Sequence, residues 1–342
     1  MGGRSRLQPC FSRPSAQECT ACKFFAADTH LLRPHPLNPL WRTMSSNGDD
    51  TELLELIADS RVTGYFAVAS LCILLYDHIA CLPREVELMW TSRWGLAKIV
   101  YLWNRYFSLI AISLNASVIV REIGTATVCT GWLKVQGITS TIIIGTVDFV
   151  LMLRVWIMYG RPQLFIWLFL FLGIAEVTTM VAVDFVAYAQ MTEYVHLGPI
   201  LPGCYAYNVP RFLTIYAAVP LLVTFIMFAM TLYKCGLTLQ QNAQQVMPVW
   251  KLFLRDGVLW FLAVFAAAGA ALLIWMMRRE TLKQLLVVPA LVVYSTVASR
   301  TLLNIKAILA QAKVQTIGSA SSRRSGEIVF VPVGSQSSFT SV

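Results

Sequence analysis

Residues 163–187 read QLFIWLFLFLGIAEVTTMVAVDFVA, an apolar run whose charged residues are Glu176 and Asp184 alone. Crossing about 30 Å of hydrocarbon takes roughly 20 helical residues, and a helix satisfies its own backbone hydrogen bonds there. The sequence therefore predicts an all-α membrane protein, a bundle of seven transmembrane helices. The other six predicted spans are 62–82, 98–120, 136–159, 211–233, 256–277 and 284–305.

The overall composition agrees with a membrane protein. The chain of 342 residues is 57% hydrophobic and 13% charged, with a mean hydropathy of +0.63, whereas soluble domains carry about 25% charged residues. The formal net charge is +9, but the 27 basic residues are scattered over loops and tails. We therefore expect attraction to anionic lipid headgroups of the bilayer and no nucleic acid as a partner.

Both ends of the chain differ from its middle. Residues 1–60 are rich in Pro, Arg and Ser and predict a disordered N-terminal tail. Met44 offers a second start, so residues 1–43 are either part of this tail or not part of the native protein. Residues 62–306 form the predicted seven-helix domain. Residues 313–342 are Ser-rich and predict a disordered cytosolic tail, either simply solvated or phosphorylated to recruit a cytosolic signalling partner.

The distribution of Lys and Arg predicts the orientation, because cytoplasmic loops carry an excess of both. The bias favours an N-terminus outside and a C-terminus in the cytosol, although Arg278 and Arg279 on the outer side oppose it. The inner set comprises Arg84, Arg93, Lys98, Arg154, Arg161, Lys234, Lys251, Arg255, Arg300, Lys306 and Lys313.

Two opposite charges fall at similar depth in the first two predicted spans. Asp77 lies about five residues before the inner end of the first span, and Arg105 about seven residues after the inner start of the second. A charged side chain inside a span is costly unless it has a partner. We therefore predict an intramembrane ion pair between Asp77 and Arg105 that fixes the fold; a proton or ion site is the alternative.

Three further carboxyl groups lie within spans. Asp148 falls midway along the third span, Glu176 midway along the fourth and Asp184 near the outer end of the fourth. They predict a polar cavity suited to a cationic ligand or a proton path, or else neutral carboxyl groups hydrogen-bonded inside the bundle. Arg154 and Arg300, near the inner ends of the third and seventh spans, are candidates for coupling at the inner face. Arg300 has two alternatives, an acidic partner or a position at the lipid interface.

Two of the eight cysteines fall in predicted outer loops. Cys129 lies between the second and third spans, and Cys204 between the fourth and fifth. With the N-terminus outside, both face an oxidising compartment. We predict an outer disulfide between them, the alternative being two unrelated thiols.

Three motifs in the first third of the chain resemble the N-terminal signature of a large fungal membrane family. The family is abundant in mushroom-forming fungi and is known only as a domain of unknown function. The resemblance extends over residues 62–306, with further similarity at Arg154, Arg255-Asp256-Gly257 and Ser299-Arg300. It implies a seven-helix membrane protein and no established activity. The three motifs are Tyr76-Asp77-His78, EVELMW at 85–90 and Asn104-Arg105-Tyr106.

The sequence does not carry the patterns expected of a membrane pigment or enzyme. A retinal Schiff base needs a lysine within the last span, whereas Lys283 and Lys306 flank it. A zinc hydrolase needs several histidines at one depth, whereas His78 and His196 fall on opposite sides. We expect no catalytic residue, cofactor or metal ion.

Three functions are compatible with this architecture. We favour a receptor-like sensor of an unknown ligand, with the plasma membrane as the default location. The first alternative is a small-solute or proton-coupled carrier, but neither an internal repeat nor a matched pair of broken spans is evident. The second alternative is a structural membrane protein.

Overall fold

The computed structural model describes residues 50–121, 126–190, 203–204, 211–241, 248–276 and 281–324. Every regular element in these ranges is helical. The first half contains α1 (Asp50–Glu85), α2 (Leu96–Leu102), α3 (Ser108–Val120), α4 (Ala126–Met158) and α5 (Gln163–Gln190). The second half contains α6 (Thr214–Gln241), α7 (Pro248–Met276) and α8 (Val287–Arg324). Two π-helical turns, Val86–Trp90 and Trp103–Phe107, and two 3-10 turns, Arg211–Leu213 and Thr281–Gln284, lie between or beside them.

Six of these helices are long and apolar enough to cross a membrane. Their mean hydropathy is high because the apolar residues continue around the helix instead of forming one stripe. This agrees with a multi-pass membrane protein. The six candidate spans are Ile57–Trp90, Val128–Met158, Gln163–Ala189, Thr214–Leu237, Val258–Met276 and Leu282–Ala310.

The predicted second span, residues 98–120, takes a different form. It is an uninterrupted helical run from Leu96 to Val120, but a π-helical turn at Trp103–Phe107 separates α2 from α3. This run is not among the six candidate spans. The π turn carries Asn104 and Arg105, both of which are buried.

The helices reach further towards both ends of the chain than the sequence predicted. Helix α1 begins at Asp50, so residues 50–60 are helical. Helix α8 continues to Arg324, so residues 313–324 are also helical. Leu, Glu and Ala, which favour helices, make up six of the eleven residues of 50–60, and Lys, Gln, Ala and Arg make up five of the twelve residues of 313–324. The rest of the two predicted tails, 1–49 and 325–342, lies outside the described residues.

The described residues divide into two compact units. The larger comprises 50–77 and 93–302, and the smaller comprises 78–92 and 303–324. Within the larger, α4 packs against α5 and α6, and α6 packs against α7. Within the smaller, Arg84 Nη2 donates to Asn304 Oδ1 at 3.4 Å, and Trp90 Nε1 donates to Glu85 Oε1 at 3.1 Å. All the site residues discussed below belong to the larger unit.

Candidate ligand cavity and buried charges

Asp77 on α1 lies between two arginines. Arg300 on α8 donates through Nε to Asp77 Oδ1 at 2.8 Å, and its Nη2 lies 2.7 Å from the same oxygen. Arg105 places Nη1 at 3.9 Å from Oδ2. The structure thus brings Asp77 and Arg105 together, and it adds Arg300 as the closer partner. Arg300, which the sequence suggested for inner-face coupling, is held by this carboxylate.

Aromatic rings accompany both guanidinium groups. The Arg105 guanidinium carbon lies 5.7 Å from the centre of the Tyr101 ring, and that of Arg300 lies 5.7 Å from the Trp260 ring. Ring faces attract cations at such distances. They therefore help to hold two positive charges beside a single carboxylate.

The π turn fixes this cluster to α8. Asn104 Nδ2 donates to the Ser295 carbonyl and to Ser299 Oγ, both at 3.1 Å. The extra residue of a π turn changes the direction of the side chains that follow, and such turns are common at functional sites. The turn carries two consecutive polar residues, Asn104 and Arg105, and both are buried. The sequence did not lead us to predict the contact of Asn104 with α8. An Asn within an apolar stretch was the feature that could have indicated it.

Asp148 on α4 and Glu176 on α5 form a second buried cluster. Their side chains lie within hydrogen-bonding contact of each other, and they are 2% and 1% exposed. Thr224 Oγ1 donates to Asp148 Oδ1 at 3.3 Å. Within the described part of the chain, Asp148 Oδ2 and Glu176 Oε1 have no hydrogen-bond donor. Two carboxyl groups in contact need a proton on one of them to form a hydrogen bond, so we expect this pair to share a proton.

The shared proton predicts a contrast between two kinds of substitution. Asp148→Asn and Glu176→Gln supply an amide N–H in place of the proton, so each should change the free energy of unfolding by less than about 1 kcal/mol. Asp148→Ala and Glu176→Ala leave the partner carboxyl unsatisfied and should cost about 1–3 kcal/mol. Denaturant titration of the purified variants in one detergent measures both. An Asp148→Asn variant as unstable as Asp148→Ala would contradict the shared proton.

A cavity of about 170 Å³ lies where α4, α6 and α8 begin and α5 and α7 end. Asp184 is on its wall. Thr141 Oγ1 donates to Asp184 Oδ2 at 3.4 Å and lies 3.0 Å from the Tyr216 hydroxyl, which donates to the Gly137 carbonyl at 3.3 Å. The Tyr216 and Trp275 rings stack with their centres 6.2 Å apart and both line the cavity. The cavity is therefore mainly apolar and aromatic, with one carboxyl group.

Gly137 allows α5 to approach α4 beside this cavity. A Cβ at this position would collide with the Tyr188 hydroxyl and would lie 3.0 Å from Asp184 Oδ2. The Tyr188 hydroxyl donates to the Leu133 carbonyl at 2.8 Å, which closes the contact between the two helices. Small residues allow such close approach of helices in membranes. Gly137 thus sets the position of Asp184.

The three carboxyl groups predicted to line one cavity are divided between two places. Asp184 lines the cavity, whereas Asp148 and Glu176 face each other and are not part of its wall. Tyr294 on α8 lines the cavity and is 4% exposed. The aromatic wall of the cavity was not predicted from the sequence. The recurrence of Tyr and Trp near helix ends was the feature that could have indicated it.

Cys129 and Cys204 form a disulfide at the same end of the unit. Their Cα atoms are 5.4 Å apart, and both residues are buried. Gly203, next to Cys204, donates its backbone N–H to the Arg121 carbonyl at 3.0 Å. Cys129 lies one turn before Leu133, which lines the cavity. Arg154 is near the other end of α4 and is buried, 4% exposed.

Comparison with known families adds one match. Residues 65–110 match DUF6533, a family of unknown function. The matched segment carries Asp77, Asn104 and Arg105, so it provides two of the three charged side chains of the cluster that Asp77 forms with Arg105 and Arg300. Together with the apolar helices, this fits an uncharacterised membrane family. No curated protein and no solved structure matches the chain.

Proposed function

We propose that the protein is a seven-helix sensor that binds a small molecule from outside the cell and signals to a cytosolic partner. The cavity between the ends of five helices, at the end that carries the Cys129–Cys204 disulfide, supports this proposal most directly. Ligand sites are concave and mostly apolar, with a few polar groups. The described cavity has this composition.

The seventh span of the proposal is the run from Leu96 to Val120. Its 25 residues extend about 35 Å as a helix, enough to cross the bilayer. Ile99, Trp103, Ile110 and Leu114 are half or more exposed, as expected for side chains that face lipid. Arg105, its charge nearest the middle, is buried beside Asp77.

The proposed orientation places the N-terminus outside and the C-terminus in the cytosol. The disulfide and the cavity are then on the oxidising, ligand-accessible side. Arg154, Arg161 and Lys234 lie towards the opposite end, in agreement with the excess of basic residues in cytoplasmic loops. The plasma membrane is the location that exposes such a cavity to external molecules.

The Asp148–Glu176 contact favours a second candidate, a proton-coupled carrier. A carboxyl pair that shares a proton inside a span is a typical element of proton relays. Against it, both side chains are buried and neither is part of the cavity wall. The sensor is therefore our first choice, and a purely structural protein is the third.

Blocking the cavity distinguishes these candidates. Purified protein is labelled with a fluorophore at Cys235, near the end of α6 that is remote from the cavity. A library of ring-sized molecules is then screened for binding and for a change in the fluorescence of this label. We expect some molecules to bind and change the fluorescence without accumulating in proteoliposomes. Ala271→Phe, which adds a ring to the cavity wall and so occupies part of the cavity, should weaken this response at least tenfold.

Ala266→Phe is the matched control, because Ala266 is on the same helix but exposed, and its response should stay within twofold of wild type. Accumulation of a ligand inside the proteoliposomes would instead support the carrier. A response unchanged by Ala271→Phe would contradict the assignment of the cavity as the ligand site.

A further inference from the structure

The chemistry of the cavity wall restricts the ligand that would fit. Asp184 is 9% exposed and accepts a hydrogen bond from Thr141 at 3.4 Å. Across the described ranges, no cation lies within ion-pair distance of its carboxyl group. A buried carboxylate is costly without a partner, and a cation placed beside it would lower this cost.

A second polar group points to the same place. Ser140, one turn after Gly137 on α4, lines the cavity and is 6% exposed. Its hydroxyl has no hydrogen-bond partner among the described residues. Asp184 and Ser140 thus both line one volume, and their side-chain oxygens accept hydrogen bonds. A ligand group with several N–H donors would satisfy both.

The aromatic wall favours the same charge. Tyr188, Tyr216, Trp275 and Tyr294 line the cavity, and ring faces attract cations, with Trp the strongest. The stacked pair of Tyr216 and Trp275 offers a flat apolar surface on which a ligand ring can pack. Lys283, the other charged lining residue, belongs to the 3-10 turn Thr281–Gln284 before α8, and its carbonyl accepts a hydrogen bond from Trp275 Nε1 at 3.0 Å.

The volume sets the size. A cavity of about 150 Å³ holds one benzene molecule, so the 170 Å³ observed here has room for one ring with a short substituent. We propose that this cavity binds a small organic cation, about one aromatic ring bearing an ammonium group, with Asp184 as the counter-ion. This ligand class rests on the proposed function in treating the cavity as a ligand site.

Three probes of similar size and different charge test the proposal: benzylammonium, benzyl alcohol and benzoate. Each is titrated onto the full chain in neutral phosphatidylcholine nanodiscs at pH 7, and binding to empty nanodiscs is subtracted. We expect benzylammonium to bind at least tenfold more tightly than benzyl alcohol, and benzoate to bind most weakly. A wild-type protein that binds benzylammonium no better than the other two probes, or without saturation, would overturn the proposal.

Variants assign the preference to one carboxyl group. Asp184→Asn should abolish the tenfold preference and leave the affinity for benzyl alcohol within twofold, whereas Asp184→Glu should retain it. Glu176→Gln is the matched control, since Glu176 is buried on the same helix but is not part of the wall, and it should retain the preference. Two results would refute the role of Asp184. The first is a preference for benzylammonium that survives in folded Asp184→Asn. The second is a preference for benzoate that Lys283→Gln removes.

The test of the ligand class and the test of the sensor can fail independently of each other. Binding is read in nanodiscs and needs no signal, so a cation preference together with flux into proteoliposomes would refute the sensor and keep the ligand class. A fluorescence response at Cys235 without a cation preference would do the reverse.

Discussion

Replacing Asp77 with alanine is expected to lower the free energy of unfolding by about 3–5 kcal/mol, the usual cost of removing one partner from a buried ion pair. Asp77 is the carboxylate that Arg105 and Arg300 share. Its loss removes the carboxylate that both guanidinium groups contact, and Arg105 is 1% exposed. SDS titration of the protein in mixed micelles, followed by tryptophan fluorescence, measures the change.

Companion variants make this expectation specific. Arg300→Ala should cost less than Asp77→Ala, because Asp77 keeps Arg105 as a partner. Asp77→Asn should be intermediate, because the amide oxygen still accepts from Arg300. Glu87→Ala, the removal of an exposed carboxylate, is the control and should stay within about 0.5 kcal/mol of wild type. If Asp77→Ala matched Glu87→Ala, the cluster would have no role in stability.

Replacing Cys129 and Cys204 together with serine is expected to cost about 2–4 kcal/mol of unfolding free energy, because a disulfide restricts the unfolded chain. The bond joins positions 75 residues apart. It also lies one turn from the cavity wall at Leu133, so ligand affinity should fall together with stability.

Cys72→Ser, which removes a thiol that is not part of the disulfide, is the control for the disulfide variant and should leave both stability and ligand affinity unchanged. Mass spectrometry of unreduced peptides gives an independent reading. Alkylation of both Cys129 and Cys204 in the native, unreduced protein would contradict the disulfide.

Local sequence patterns were enough to predict most of the helices. A run such as 163–187 has one stable conformation in hydrocarbon whatever its neighbours are, and α5 occupies Gln163–Gln190. The helix ends were predicted less well. Asp50 and Arg324 lie in polar sequence, where helix propensity and not hydropathy decides the conformation.

Contacts within the site were predicted only between residues that lie at the same depth in the membrane. The proximity of Asp77 and Arg105 was inferred by counting residues from the predicted span ends. That of Asp148 and Glu176 was inferred from their positions midway along their spans. Arg300 is 223 residues from Asp77, and its contact depends on which helices are neighbours, which depth does not reveal. The aromatic cavity depends in the same way on how five helix ends converge.

The π turn at Trp103–Phe107 affects how this segment is compared with other sequences. It uses one residue more per turn than an α-helix, so positions before and after it are out of phase by about 100° on a helical wheel. A wheel drawn through residues 96–120 as one α-helix would assign lipid-facing and inward positions of α3 to the wrong sides. Aligning the segment with a regular α-helix requires a one-residue gap within Trp103–Phe107.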